Sequence, residues 1–256
     1  MRILVTNDDG INAPGLDVLQ HIAGELSDDV WTVAPETDQS GASHSLSLHE
    51  PLRLREVDER LYAVKGTPTD CVIMGVRFLL LDKPPDLVLS GVNAGQNMAD
   101  DVTYSGTIAG AFEGNLLGIP SMALSLAYSY DKDETRVLKW ETPMKMGSGI
   151  IRKLLDVGFP EDVVLNINFP DRAPEDIEGI VVTEQGRRNP DLLTIDDRMD
   201  TRGNPYYWLG FKRRRTKPRE GTDLWAIYTG RISVTPLNLN LTHWNVAEEL
   251  AEALAD

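Results

Sequence analysis

Asp8 and Asp9 are adjacent carboxylates in the segment Ile3-Leu4-Val5-Thr6-Asn7-Asp8-Asp9-Gly10. Two like charges held together are unfavourable unless a cation lies between them or one takes up a proton. The plainer reading gives one carboxylate to solvent and the other to the cap of a helix starting after Asn12. The pair gains meaning from two other loops. Ser40 stands in Asp38-Gln39-Ser40-Gly41-Ala42-Ser43, and Asn93 in Ser90-Gly91-Val92-Asn93-Ala94-Gly95. Carboxylate, hydroxyl and amide oxygens make a hard donor set, which suits Mg²⁺ or Mn²⁺ better than Zn²⁺. The histidines do not compete: His21 lies in a predicted helix, His44 and His49 lack metal-ligand spacing, and His243 is near the C-terminus.

A further cluster, Asp100-Asp101-Val102-Thr103-Tyr104-Ser105-Gly106-Thr107, precedes a helix. Ser105 and Thr107 can cap that helix, and capping alone would account for them. Free N–H groups at a helix N-terminus also attract phosphate, and Gly106 lets an oxyanion approach the backbone closely. Beside a metal site, this segment would form the second half of a phosphoryl clamp.

The elements that must position these groups follow from apolar periodicity. Ile3-Leu4-Val5 reads as a short buried strand. Leu16, Leu19, Ile22, Ala23 and Leu26 recur at helical spacing, and Val30 to Ala34 form a second strand closed by Pro35. Leu46, Leu48, Leu52 and Leu54 alternate with polar residues, which predicts a hairpin. Thr67-Pro68 with Asp70 is a helix start, and that helix runs to Leu79. Leu87-Val88-Leu89, Met122-Ala123-Leu124 and Val163 to Phe169 are further strands, interleaved with helices over 107–117 and 135–155. This alternation predicts an α/β, Rossmann-like fold: a mainly parallel sheet with helices on both faces. Ligands bind such sheets at the carboxyl ends of the strands, where the polar clusters after Val5, Val33 and Leu89 would meet.

Composition changes after about Asn189. Tyr206, Tyr207, Trp208 and Phe211 precede the basic run Lys212-Arg213-Arg214-Arg215 without helical periodicity. The expected division is a catalytic domain over 1–189 and a C-terminal region over 190–256. The latter comprises an extended arm or hairpin, strands and a short helix over 246–255. An arm that cannot bury its aromatics locally packs on a partner subunit. The basic run reads as a solvated strand face.

The bulk properties narrow the function classes. With 256 residues and a formal charge of −15, the chain can bury a sizeable core but lacks the basic face that nucleic-acid polymers require. An anionic substrate would then need local positive potential from a metal or a helix N-terminus. The single cysteine, Cys71, excludes an intrachain disulfide. The N-terminal apolar run is too short for a signal peptide, and nothing approaches a membrane span. A cytoplasmic protein without membrane contact is the expectation.

Taken in order, these segments resemble the SurE family of survival-protein nucleotidases. Gly66-Thr67-Pro68-Thr69-Asp70, Tyr104-Ser105-Gly106-Thr107 and Leu165-Asn166-Ile167-Asn168-Phe169-Pro170 add to the resemblance. Gly221-Thr222-Asp223 and Ile232-Ser233-Val234-Thr235-Pro236-Leu237 extend it over nearly the whole chain. The resemblance implies a phosphatase acting on nucleoside 5′- and 3′-monophosphates, with short polyphosphate as a further substrate, and one divalent ion, Mg²⁺ or Mn²⁺. Its metal ligands would be Asp8, Asp9, Ser40 and Asn93, and its phosphate contacts Ser105, Gly106 and Thr107 with Asn97 nearby. A homodimer or homotetramer joined through the C-terminal arm is also implied. Two features depart from the family pattern: Glu184, where many relatives place a basic residue, and the strongly basic stretch over 212–219.

The chemistry expected is metal-assisted hydrolysis by an in-line water, with Asp8 or Asp9 assisting proton transfer. A phospho-aspartyl intermediate is the variant route. The rival from another class is a silent metal-dependent nucleotide sensor. A receiver-type module would need a third aspartate after a later central strand, and here Leu87-Val88-Leu89 leads to Ser90 and Asn93 instead.

Overall fold

The computed structural model describes residues 1–133, 135–158, 160–189, 193–211 and 217–255. The apolar runs form β1 (Arg2–Thr6), β2 (Asp29–Pro35), β3 (Leu54–Asp58), β4 (Leu61–Val64), β5 (Leu87–Ala94), β6 (Ser121–Leu126), β7 (Ser129–Tyr130), β8 (Arg136–Val137), β9 (Val163–Phe169), β10 (Ile180–Val182), β11 (Leu193–Met199), β12 (Pro205–Phe211) and β13 (Ile232–Asn238). The helices are α1 (Pro14–Gly24), α2 (Pro68–Met74), α3 (Gly106–Leu116), α4 (Glu141–Val157), α5 (Asp223–Tyr228) and α6 (Trp244–Ala253).

A nine-stranded sheet runs in the order β10-β13-β9-β6-β5-β1-β2-β4-β3. Its centre, β9-β6-β5-β1-β2-β4, is parallel throughout, while β3 and β13 pair antiparallel with β4 and β9. Side chains alternate between the faces of each strand, and the core divides accordingly. Ile3, Val5, Leu87 and Leu89 pack with Leu16, Leu19, Ile22, Ile150 and Ile151 under α1 and α4. Leu4, Val33 and Val88 pack on the other face with Cys71, Val72 and Val76 of α2 and its extension. Ile108 and Ala111 of α3 join Ala123 and Val164 on that second face. The Rossmann-like arrangement expected from the sequence is thus present.

The topology singles out one place. From β1 the chain moves outward through β2 to β4, then returns to the opposite side of β1 at β5 and proceeds to β6 and β9. The order therefore reverses between β1 and β5, and a crevice opens at their carboxyl ends. Close packing under this crevice depends on Gly15, where a Cβ would lie 1.9 Å from the Val92 carbonyl oxygen. Any side chain there would separate α1 from the end of β5.

Three local expectations change. The hairpin predicted from Leu46 to Leu54 lies further along, at β3–β4. The Ser47 N–H and hydroxyl both donate to Asp70 (3.1 and 2.7 Å), which replaces a strand ladder and leaves Leu46 and Leu48 exposed. That same Asp70 completes the capping box with Thr67 that starts α2. The helix expected to reach Leu79 stays α-helical only to Met74, then widens into a π-helical turn over Gly75–Leu79. The helix expected from 135 begins at Glu141, because Arg136–Val137 pair with Ser129–Tyr130 instead.

After residue 193 the chain behaves in two ways. β11 and β12 form an antiparallel hairpin outside the main sheet. Ile195, Tyr207, Trp208 and Leu209 on it are exposed. By contrast, β13 returns to the main sheet between β10 and β9. α6 contributes no buried residue. The basic run Lys212 to Arg215 lies outside the described residues.

Candidate active site

β1 ends at Thr6, so Asp8 and Asp9 fall in the turn above the sheet. Asn7 closes that turn by donating its amide to the Gly10 carbonyl (2.9 Å). Asp8 is 4% exposed, and its Oδ1 accepts a 2.6 Å hydrogen bond from the Thr107 hydroxyl. Its other oxygen lies against the start of α3, since a Cβ on Gly106 would be 2.8 Å from Asp8 Cβ and 3.0 Å from Oδ2. Only glycine permits this contact between a carboxylate and a helix N-terminus. Ser105 caps α3 by accepting the Ile108 N–H (3.1 Å). The N–H groups of the first turn have no intrahelical acceptor, which leaves those of Gly106 and Thr107 for a ligand.

Asp9 points the other way. Its Oδ2 accepts the Ala94 N–H (3.0 Å) at the end of β5. The neighbouring Asn93 donates its amide to the Gly95 carbonyl (2.8 Å), which leaves its oxygen as the atom to offer a cation. The loop after β2 is tied in by its backbone, as the Gln39 N–H donates to the Asp8 carbonyl (2.8 Å). Ser40 itself is exposed, and its hydroxyl donates to Asp38 Oδ1 (2.6 Å). The structure thus gathers Asp8, Gly106, Thr107 and Asn97 directly, joins Asp9 to the strand that carries Asn93, and connects Ser40 through its loop.

Thr107 and Asn97 take up positions that the sequence did not reveal. The Thr107 hydroxyl donates its proton to Asp8, so its side chain orients that carboxylate. The Asn97 amide donates to Ser125 Oγ (2.9 Å) and Thr107 Oγ1 (3.3 Å). The Asn97 backbone is clamped in turn, with Asn168 accepting its N–H (2.9 Å) and Asn166 and Asn168 donating to its carbonyl (2.8 and 3.1 Å). A buried chain of polar groups therefore runs from β9 to Asp8. Its sequence signal was Leu165-Asn166-Ile167-Asn168, where two asparagines share one face of a buried strand. Asp223 supports the adjoining segment by accepting the N–H groups of Ala99 (2.7 Å) and Gly186 (2.9 Å). The two departures from the family pattern also meet, because Glu184 forms an ion pair with Arg219.

The electrostatics leave the site short of positive charge. Burial pushes the Asp8 carboxyl up to about 6, and the charges of Asp9 and Asp38 add to the rise against the Thr107 hydrogen bond. Burial raises Asp9 as well, opposed by the Ala94 N–H and reinforced by Asp38. Among the described residues neither carboxylate forms an ion pair, and Arg136 offers Asp9 only partial compensation. Asp38 is the charge that sequence reading passed over.

These observations favour a hard cation. A buried and a half-buried carboxylate that repel each other, with a neighbouring amide oxygen and hydroxyl, suit a divalent ion. Among the described residues no three His, Cys, Asp or Glu side chains gather as a metal cage. Neutral oxygens such as those of Asn93 and Ser40 would therefore be part of the shell.

The family model described as survival protein SurE matches residues 3–191. A protein from Methylobacterium nodulans named 5′-nucleotidase SurE is 62% identical over 242 residues, covering 94% of this chain and 95% of its own. One of the same name from Rhodopseudomonas palustris is 59% identical and aligns over 100% of both chains. Among solved structures, the SurE protein from Aquifex aeolicus matches with a TM-score of 0.84 at 41% identity, covering 99% of each chain.

Proposed function

Because the chain belongs to the SurE family, we propose that it is a 5′-nucleotidase whose phosphoryl site is the crevice between β1, β5 and α3. The observation that carries this reading is the seating of the α3 N-terminus directly on Asp8. An anion-attracting helix end and a cation-attracting carboxylate pair then face one small volume.

Asp8, Asp9, Asn93 and Ser40 would hold a divalent ion, Mg²⁺ or Mn²⁺. When bound, the ion neutralises charge on the phosphoryl group and polarises it. The backbone N–H groups of Gly106 and Thr107 bind phosphoryl oxygens and keep the phosphorus in line for attack by water. Thr107 fixes the Asp8 carboxylate through Oδ1, so Oδ2 is the atom left for the ion, and Asp8 or Asp9 assists proton transfer from the attacking water. Asn97 acts by holding Thr107. Nucleoside 3′-monophosphates and short polyphosphate present the same phosphoryl group and belong to the same substrate range.

No helix among the described residues is long and apolar enough to cross a membrane, and a cytoplasmic location is part of the proposal. The exposed Tyr207, Trp208 and Leu209 of the β11–β12 hairpin make it the contact through which a homodimer or homotetramer assembles.

Turnover separates this function from a silent nucleotide sensor. Inorganic phosphate release would be measured from a panel of nucleoside 5′- and 3′-monophosphates and tripolyphosphate, with Mg²⁺, with Mn²⁺ and with chelator. Metal-dependent release is expected, fastest from 5′-monophosphates. Nucleotide binding without release under any metal would replace the enzyme with the sensor.

A further inference from the structure

The segment between β5 and α3 carries Asn97 near its start and ends in Ser105, Gly106 and Thr107, so its course decides where the phosphoryl clamp stands. At its centre is Ala99, which opens a 3₁₀ turn over Ala99–Thr103 with a φ of 53°. That is the left-handed region, where a Cβ crowds the following carbonyl oxygen and glycine is the residue that fits without cost. Among the described residues Ser43 and Arg60 also take a positive φ without being glycine. Neither of them is buried, whereas Ala99 is fully buried. A residue other than glycine stays in this region only where its surroundings hold it there.

The hold comes from the far end of the chain. Asp223 Oδ2 accepts the Ala99 N–H (2.7 Å), and the Gln185 side-chain amide donates to the Ala99 carbonyl (3.0 Å). Both backbone groups of Ala99 are thus taken up by side chains. The next two residues are gripped as well. Asp100 Oδ2 accepts the Arg188 N–H (2.7 Å), and both oxygens of Asp101 accept from Arg188 Nε at 2.8 Å. The clamp is itself braced, because Asp223 Oδ1 accepts the N–H groups of Gly186 (2.9 Å) and Leu224 (2.7 Å). The Asp223 N–H in turn donates to the Glu184 carbonyl (3.0 Å). Gln185 and Arg188 precede the β11–β12 hairpin and Asp223 follows it, so the clamp sits at the root of the arm. A left-handed alanine opposes stability; what it secures is the direction in which the chain runs on to Ser105.

We propose that Gln185 and Asp223 are positioning residues for the phosphoryl site: they hold Ala99 left-handed and thereby fix the N–H groups of Gly106 and Thr107 beside Asp8. The inference rests on the phosphatase reading for what those N–H groups bind. It gives the C-terminal region a part in turnover besides the assembly proposed for it.

The test removes the clamp and then removes the need for it. Gln185→Met keeps the length of the side chain and deletes the donor, and since Gln185 is exposed the fold survives the change. Ala99→Gly supplies the left-handed conformation without a clamp. Wild type, Gln185→Met and the double variant Gln185→Met/Ala99→Gly are compared for AMP hydrolysis, for Mn²⁺ binding and, once loaded with Mn²⁺, for binding of inorganic phosphate. Gln185→Met should lower kcat/KM for AMP and weaken phosphate binding by about fivefold or more, the effect of one lost hydrogen bond, with Mn²⁺ affinity unchanged. Adding Ala99→Gly should return most of both losses, which a merely structural contact would not allow. Asp223→Asn, whose amide cannot accept through both of its ends, should lose more, and Gln185→Met decides the matter if that variant does not fold. Wild-type kinetics and phosphate binding in Gln185→Met, or losses that Ala99→Gly leaves in place, would overturn the positioning role and leave the phosphatase standing. If the wild type releases no phosphate from any nucleotide, the phosphatase reading fails, and phosphate binding alone decides the positioning role by the same comparison.

Discussion

Two aspartates at opposite ends of the central strands show how one side chain serves two purposes. Asp29 begins β2 on the amino edge of the sheet, where it is surrounded by donors. Arg2 reaches it at 3.0 Å, Lys83 at 3.2 Å and the Trp31 indole at 3.1 Å. Burial works against its ionisation, yet these hydrogen bonds outweigh that effect and hold its carboxyl down at about 2. Asp8, just past β1 on the carboxyl edge, has no such cation and is raised to about 6. The first region is satisfied by its own sequence. The second is left incomplete, which costs stability in the free protein and creates affinity for a cation. A carboxylate that the fold leaves unpaired while burying it is a better marker of function than one in a well-made ion pair.

The sharpest way to break the comparison is to neutralise each aspartate in turn. Asp8→Asn should lower kcat by roughly a hundredfold or more while the metal-free fold stays at least as stable, because a buried unpaired charge has been removed. Loss of folding in that variant would make Asp8 a structural group and overturn its reading as an uncompensated charge. Gly106→Ala comes next. The added methyl would enter the 2.8 Å space beside Asp8, and activity should fall about tenfold or more, as misplacement near the chemistry does. Unchanged kinetics would mean that the seating of α3 on Asp8 has no part in turnover.

The pH dependence of stability should have opposite signs at the two edges. Asp8 ionises less readily folded than unfolded, so its contribution is fully present below 3.8 and is lost as pH rises through about 6. At about 1.4 kcal/mol per pH unit, up to about 3 kcal/mol is at stake in the metal-free protein. Asp29 ionises more readily when folded, so its contribution is present above 3.8 and lost as pH falls through about 2. Urea denaturation in chelator from pH 2 to 7 should show both slopes. Asp8→Asn should flatten the upper one and Asp29→Asn the lower one. The smallest effect expected is that of Asp29→Asn at neutral pH, about 1 kcal/mol or less of stability for a partly exposed pair. Its kcat and KM should match those of the wild type.

The sequence was most informative where pattern and chemistry coincide. The apolar runs Ile3-Leu4-Val5 and Leu87-Val88-Leu89 read as buried parallel strands, and the polar residues after β1 and β5 therefore had to share an edge. The Thr67-Asp70 cap was legible because a capping box is a local hydrogen-bond pattern. What escaped was non-local. Leu46 and Leu48 read as strand residues because nothing nearby reveals that Ser47 bonds to Asp70. That the Thr107 hydroxyl donates to a carboxylate 99 positions away had no signal near it in the chain. The start of α4 was misplaced because Arg136–Val137 find partners at Ser129–Tyr130, a pairing without periodicity. Asp38 was visible in its motif but its effect on Asp8 depends on how the loop after β2 folds back over β1.

The electrostatic contrast is tested most directly by titrating Mn²⁺ into the protein at pH 7.5 and following the heat of binding. Wild type and Asp29→Asn should bind one ion with equal affinity, and Asp8→Asn should bind it at least about a hundredfold more weakly. Equal Mn²⁺ binding by wild type and Asp8→Asn would contradict the assignment of the carboxyl edge as the cation site.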